Sequence, residues 1–170
     1  MEKIKLRKVI LAICLACLVF GTGVRAEPDS HKATVEDQGK KPWVVDIEKL
    51  TLENSDFRQA RWTGSFLQLT VMSIPPGGEI GLEMHADIDQ FIRIEQGRGR
   101  VLMGKNKEEL NYVQEVEDDW AVFIPAGYWH NLINTGEADL KVYSIYGPPE
   151  HPAGTRHKTF AESEADHHDH

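Results

Sequence analysis

The sequence contains almost no cysteine. Only Cys14 and Cys17 carry thiols, and both lie near the N-terminus of the 170-residue chain. The rest of the chain therefore has no disulfide, and any metal site in it has to use nitrogen and oxygen ligands. With 41% apolar and 27% charged residues, the composition is still that of a globular domain with a core, which excludes a disordered chain or a coiled coil.

Long apolar runs are also missing. The run Val9–Phe20 has twelve residues, whereas a helix needs about 20 to span a bilayer. Basic residues precede this run, and Val24-Arg25-Ala26 has the small-x-small pattern of a signal-peptidase site. We predict that residues 1–26 are a signal peptide and that the mature protein begins at Glu27 and is periplasmic or secreted. An uncleaved membrane anchor is the alternative.

Positive charge is scarce. The whole chain has 19 basic and 27 acidic residues, a net charge of -8. Residues 1–26 contain five of the basic residues and one of the acidic ones, so the predicted mature chain has 14 against 26, or -12. Nucleic acids and anionic membrane surfaces attract clustered Lys and Arg. We therefore expect no nucleic-acid partner and, after signal cleavage, no membrane partner.

Short β-like runs separated by turn residues make up most of the mature chain. Residues 27–42 are polar without an apolar period and predict a flexible leader. Residues 43–159 contain the short runs, which are typical of an all-β sandwich or barrel. Helix is expected only at Glu48–Asn54 and after Phe160, and residues 160–170 form an acidic, His-rich C-terminal tail.

A first cluster of polar residues surrounds His85. Strand side chains alternate between faces, so Glu83 and His85 are expected on one face. Gln90 is expected on the same face as Ile92 and Ile94, and a hairpin would place it opposite His85.

A second cluster follows a turn. Pro125-Ala126-Gly127 reverses the chain, and His130 comes three residues after the glycine. Asn134 is expected to close a turn.

The spacing of these two clusters resembles that of the cupin superfamily. The first cupin motif is matched in position by Gly77, Glu83, His85, Gln90 and Gly97, and the second by Asp119, Pro125, Gly127, His130 and Asn134. The resemblance extends over about residues 57–165 to single-domain bacterial cupins, often labelled similar to mannose-6-phosphate isomerase. It implies a small jelly-roll (double-stranded β-helix) barrel, pairing into a homodimer, and one divalent metal ion held by Glu83, His85, Gln90 and His130.

Two of these positions depart from the cupin pattern. Glu83 stands where cupins have a first His, and Gln90 stands where they have a Glu. With these two residues included, the set of two imidazoles, one carboxylate and one amide suits Fe, Mn, Zn or Ni. Gln90 either binds the ion or acts as a hydrogen-bond partner of the ligands.

Other residues are expected to have structural roles. Met72, Ile92, Ile94 and Phe123 are expected to pack inside the barrel. His151 and His157 are expected on the surface. The cluster of Asp and His at 166–170 either collects metal ions or is a solvated terminus.

Three functional classes are compatible with such a site. The first is a metal-dependent isomerase, lyase or dioxygenase that acts on a small sugar-like or hydroxy-carbonyl molecule, with Glu83 or a metal-bound hydroxide moving a proton. The second is a non-catalytic protein that binds a small ligand or a metal. The third is a structural cupin with a degenerate site. A phosphosugar substrate is disfavoured, because Arg93 is expected to face away from the site.

Overall fold

A computed structural model describes residues 36–167 of the chain. These residues form ten strands and two short helices, in chain order α1 (Ile47–Leu52), β1 (Arg58–Thr63), β2 (Gln68–Ile74), β3 (Glu83–Met84), β4 (Asp89–Gln96), β5 (Arg98–Gly104), β6 (Tyr112–Glu117), β7 (Ala121–Ile124), β8 (Trp129–Asn134), β9 (Leu140–Gly147), β10 (Arg156–His157) and α2 (Phe160–His167). The predicted signal peptide, residues 27–35 of the predicted leader and the last three residues of the tail lie outside the described residues.

Two antiparallel sheets make up the barrel. One has the strand order β10-β1-β2-β9-β4-β7, and the other has the order β3-β8-β5-β6. Their inner faces share one apolar core, which includes Met72, Ile92, Ile94, Leu132 and Val142. The predicted all-β jelly-roll architecture is thereby confirmed, and both helices lie in the segments where the sequence allowed helix.

The period of two in β4 decides which residues enter the core. Gln90, Ile92 and Ile94 are buried, while Phe91 and Arg93 are only partly covered. This alternation is the predicted one.

The same alternation makes one expectation for β7 wrong. Val122 and Ile124 point inward and are buried, so Phe123 between them points outward and is 73% exposed. Phe123 is therefore not part of the barrel packing.

The expected hairpin between the strands around His85 and Gln90 is also wrong. β3 pairs with β8 in the four-stranded sheet, whereas β4 pairs with β7 and β9 in the six-stranded sheet. The short connection at residues 85–88 crosses from one sheet to the other. His85 and Gln90 thus approach the interior from different sheets.

Both ends of the described chain are held against the barrel. Asp37 accepts hydrogen bonds from the backbone and the hydroxyl of Thr63 on β1. The helix α2 begins after Thr159, whose hydroxyl accepts from Glu162 N, and Phe160 packs its ring 5.5 Å from that of Phe57. Within residues 36–167, no helix is long and apolar enough to cross a membrane.

Candidate metal centre

Three ligand-type side chains meet at one end of the barrel. Glu83 on β3 and His130 on β8 are register partners, and His85 comes directly after β3, two residues after Glu83. The Oε1 atom of Glu83 lies 3.2 Å from Nε2 of His130 and 3.5 Å from Nε2 of His85. Ligand atoms of all three residues lie within 4.8 Å of one another, so they could hold a metal ion.

The Pro125–Gly127 turn positions this group. Gly127 has a φ of 77°, a conformation that favours glycine, and its N–H donates to the carbonyl of His85 at 2.7 Å. The turn thereby ties the segment that carries His85 to the start of β8, which carries His130.

The second nitrogen of each imidazole also has a defined neighbour. Nδ1 of His130 lies 3.0 Å from the carbonyl oxygen of Tyr128, and Nδ1 of His85 lies 3.4 Å from Oε1 of Glu150. Oxygen acceptors at this position are typical of metal-binding histidines, because they hold the ring with its other nitrogen toward the ion.

Two carboxylates lie beside His85 and favour positive charge there, while Arg58 places one positive charge next to Glu83. Burial alone would raise the pKa of the Glu83 carboxyl, but its contacts with His130 and His85 and the nearby charge of Arg58 outweigh burial and lower this pKa well below its usual range. Burial alone would lower the pKa of His85, but Glu150 and Glu83 outweigh it and raise this pKa to about 9. An imidazole between two carboxylates marks a position that stabilises positive charge.

Gln90 reaches the interior from β4 and is 3% exposed. Its amide nitrogen donates to the hydroxyl of Tyr146 at 3.1 Å, and the Tyr146 ring lies edge-on against His85 at 5.8 Å. No described residue donates a hydrogen bond to the amide oxygen of Gln90. That oxygen is therefore available to a bound species, and its role as a metal ligand stays a prediction.

The ligand atoms at this site fit a divalent metal ion. One carboxylate and two imidazoles converge, and a buried amide oxygen without a donor lies in the neighbouring part of the interior. Nitrogen and oxygen ligands of this kind suit first-row transition metals.

Arg58 and Glu150 belong to the site although no sequence pattern indicates either. The Arg58 side chain is fully buried, with its guanidinium 4.0 Å from Glu83 and in a 2.8 Å hydrogen bond to Ser163 of α2. Both residues lie far from the ligands in the sequence, so only the fold brings them there.

The expectation that His151 and His157 lie on the surface is wrong. His151 is buried with its ring 5.3 Å from that of Tyr146, and His157 is buried with Nε2 2.6 Å from a carboxylate oxygen of Asp166. The segment after β9 folds back over the barrel end, which covers both rings. Asn134 closes a turn as expected, because its side-chain oxygen Oδ1 accepts from Gly136 N.

Comparison with known proteins adds family relationships. Residues 70–146 match the family model described as "Cupin domain". The uncharacterized protein YrkC of Bacillus subtilis is 51% identical over 145 residues, which are 85% of this chain and 78% of YrkC. The uncharacterized protein L612 of Acanthamoeba polyphaga mimivirus is 42% identical over 113 residues, which are 66% of this chain and 69% of L612.

Solved structures agree with the fold. The crystal structure of BH2720 from Bacillus halodurans is 54% identical and superposes with a TM-score of 0.76, covering 76% of this chain and 98% of that one. TT1209 from Thermus thermophilus is 17% identical, with a TM-score of 0.53 and coverage of 62% and 96%. At this lower identity the likeness concerns the fold alone.

Proposed function

This chain belongs to the cupin superfamily, and we propose that it is a metal-dependent enzyme that binds one divalent ion and acts on a small oxygenated molecule. The observation that carries the proposal is the position of one Glu83 oxygen within 3.5 Å of the Nε2 atoms of both His130 and His85. Glu83, His85 and His130 would hold the ion, and Gln90 would complete the set.

The bound ion would act as a Lewis acid toward a hydroxyl or carbonyl oxygen of the substrate. Glu83 would accept a proton, since its carboxylate lies beside the two imidazoles and its side chain is 15% exposed. The fixed imidazoles would keep the donor atoms in place while the substrate binds. Proton transfer of this kind is compatible with isomerase or lyase chemistry, and with iron the same site would suit a dioxygenase.

Solvent reaches the site from its carboxylate side. The side chains of Glu83 and Glu150 are 15% and 23% exposed, whereas that of His130 is 1% exposed. A small molecule could therefore approach past the two carboxylates. This partial opening favours a ligand-binding site over a group that only stabilises the barrel.

The charge at this opening favours a substrate without a phosphate. Two carboxylates line the exposed side, and Arg93 pairs with Asp119 on the outside of the barrel. Arg58 is buried between Glu83 and Ser163. We therefore infer a neutral sugar-like or hydroxy-carbonyl substrate.

Metal analysis tests the proposal. The mature protein would be purified from the periplasm without added metal and compared with His130→Ala. About one equivalent of Fe, Mn, Zn or Ni in the wild-type protein, lost in the variant, is the expected result. A metal-free wild-type protein that also fails to bind added metal would overturn the proposed site.

We also propose that the protein is exported and forms a homodimer. The proposal of export is based on the N-terminal signal-like sequence and predicts that Glu27 is the first residue of the extracytoplasmic protein. N-terminal sequencing of that protein tests it, and a retained Met1 would contradict it.

The apolar outer face of the six-stranded sheet supports the dimer. A groove of about 490 Å³ there is lined by apolar residues including Leu67, Phe91, Phe123 and Ile145, with Asp89 as its charged member. Two copies of an acidic chain would repel one another least at such a surface, and a second copy could cover it symmetrically.

A further inference from the structure

Glu150 lies behind one of the proposed metal ligands. Its Oε1 atom is 3.4 Å from Nδ1 of His85, on the opposite side of the ring from Nε2, which faces Glu83 at 3.5 Å. His85 is thus held between two carboxylates, one on each nitrogen. From this geometry, and on the basis of the proposed metal site, we infer that Glu150 is a positioning residue that fixes His85 with Nε2 toward the ion.

The backbone that carries Glu150 is itself held by a buried side chain. Gln68 on β2 is fully buried, and its amide oxygen accepts from the backbone N–H groups of Glu150 at 3.2 Å and His151 at 2.9 Å. Its amide nitrogen donates to the carbonyl of His151 at 2.7 Å. Three hydrogen bonds from one buried amide leave this segment little freedom to move away from the site.

The two proposed imidazole ligands are held by different kinds of acceptor. His130 has a backbone carbonyl, that of Tyr128, at its Nδ1, so no substitution of a side chain removes that acceptor directly. His85 has the Glu150 carboxylate instead. A carboxylate behind a ligating imidazole fixes the ring and makes it a stronger donor to the metal. Of these two acceptors, only the one at His85 can be removed by a side-chain substitution, at Glu150.

The ring contacts of His85 explain why this support is needed. The rings of Tyr146 and His130 also lie near the imidazole, at 5.8 Å and 5.4 Å between centroids. Aromatic packing restricts the tilt of a ring, but it does not distinguish Nδ1 from Nε2. The hydrogen-bonding group on Nδ1 makes that distinction.

Zinc affinity tests the inference. The dissociation constant for zinc would be measured by competition with a chromogenic chelator for the full mature protein and for Glu150→Ala, Glu150→Gln and Glu137→Ala. Glu137 is exposed, so Glu137→Ala is the control for losing one carboxylate from the surface. We expect Glu150→Ala to bind zinc about 10–100-fold more weakly, Glu150→Gln to keep most of the affinity because its amide oxygen still accepts, and Glu137→Ala to match the wild-type protein.

The tautomer of His85 provides a readout that a merely structural residue would not change. In nitrogen-15 spectra of the zinc-loaded wild-type protein and of Glu150→Gln, the proton of His85 is expected on Nδ1 and zinc on Nε2. In Glu150→Ala this preference should weaken. If the alanine variant does not fold, Glu150→Met replaces it, because methionine keeps the length of the side chain without a comparable acceptor.

The outcomes separate this inference from the proposed function. A wild-type protein that does not bind zinc or another divalent ion would contradict the metal site itself. A wild-type protein that binds zinc, together with a Glu150→Ala affinity within about twofold of it, would overturn the role of Glu150 alone. Equal losses in Glu150→Ala and Glu137→Ala, or in Glu150→Ala and Glu150→Gln, would also overturn it, because they would indicate an effect of charge only.

Discussion

Glu83 and His130 are directly opposite each other on the antiparallel strands β3 and β8, and Oε1 of Glu83 lies 3.2 Å from Nε2 of His130. Opposed residues of an antiparallel pair project to the same face of the sheet. The two residues are 47 positions apart in the sequence. The pairing of these strands, and not any local motif, therefore assembles the centre of the site.

Replacing the carboxylate of this pair tests whether it binds metal. Glu83→Gln keeps the size of the side chain but removes its charge. We expect the affinity for zinc or manganese to fall at least about tenfold, because changing a direct ligand should cost no less than losing a residue that supports one. Titration calorimetry would measure the affinity, and Glu115→Gln on β6 serves as an exposed control. An unchanged affinity with a lowered melting temperature would instead indicate a structural role.

Alanine at Gly127 tests the turn before β8. Gly127 has a φ of 77°, and a Cβ added there meets no atom within 4 Å, so the cost is conformational and not steric. We expect Gly127→Ala to lower the free energy of unfolding by about 1–2 kcal/mol, measured by urea denaturation. Gly136→Ala is the control, because Gly136 has no positive φ and its added Cβ would have an ordinary contact at 3.4 Å. An equal loss of unfolding free energy in both variants would contradict a conformational cost that is specific to Gly127.

The ion pair of Asp56 with Arg156 predicts a pH dependence of stability. Asp56 is buried just before the start of β1. Burial alone would raise its pKa, but Arg156 and Gln59 outweigh burial and lower the pKa below the usual 3.8. A carboxyl whose pKa is lowered by folding stabilises the protein above its unfolded pKa, and this stabilisation is lost as the pH falls through the folded pKa.

We therefore expect Asp56→Asn to lower the free energy of unfolding by about 1–3 kcal/mol at pH 7 and by progressively less below a pH of about 4. Urea denaturation across this pH range measures the difference, and Asp118→Asn is the control because Asp118 is exposed. A difference that grows toward acid pH would contradict the sign of the pKa shift.

The outward Phe123 tests the proposed dimer. Its ring is 73% exposed and lies edge-on to Phe91 at 5.1 Å on the apolar face of the six-stranded sheet. Phe123→Glu would place a charge on this face and is expected to convert the dimer to a monomer, as measured by sedimentation equilibrium. Val113→Glu, at an exposed position on β6 of the other sheet, should leave the dimer intact. A monomeric wild-type protein would contradict the proposal.

Several features of the fold and site are predictable from the sequence because they depend on local periodicity. The alternation in Asp89–Gln96 places Gln90, Ile92 and Ile94 inside, as the spacing predicts. The Pro125–Gly127 turn follows from residues that favour that backbone conformation. The convergence of Glu83, His85 and His130 followed from the resemblance of two motif spacings to those of a known family.

The sequence by itself determined the all-β class and the faces of strands such as β4, because a period of two and turn chemistry act over a few residues. Three of the residues that meet at the site were expected from the resemblance to cupins. Only the tertiary structure decided that β3 and β4 lie in different sheets, that Phe123 points outward and that Glu150 and Arg58 flank the ligands. Contacts between residues that are distant in sequence depend on which strands pair and on how the chain after β9 folds back. Such long-range pairing is settled by burial and hydrogen bonding over the whole domain, and no local pattern encodes it.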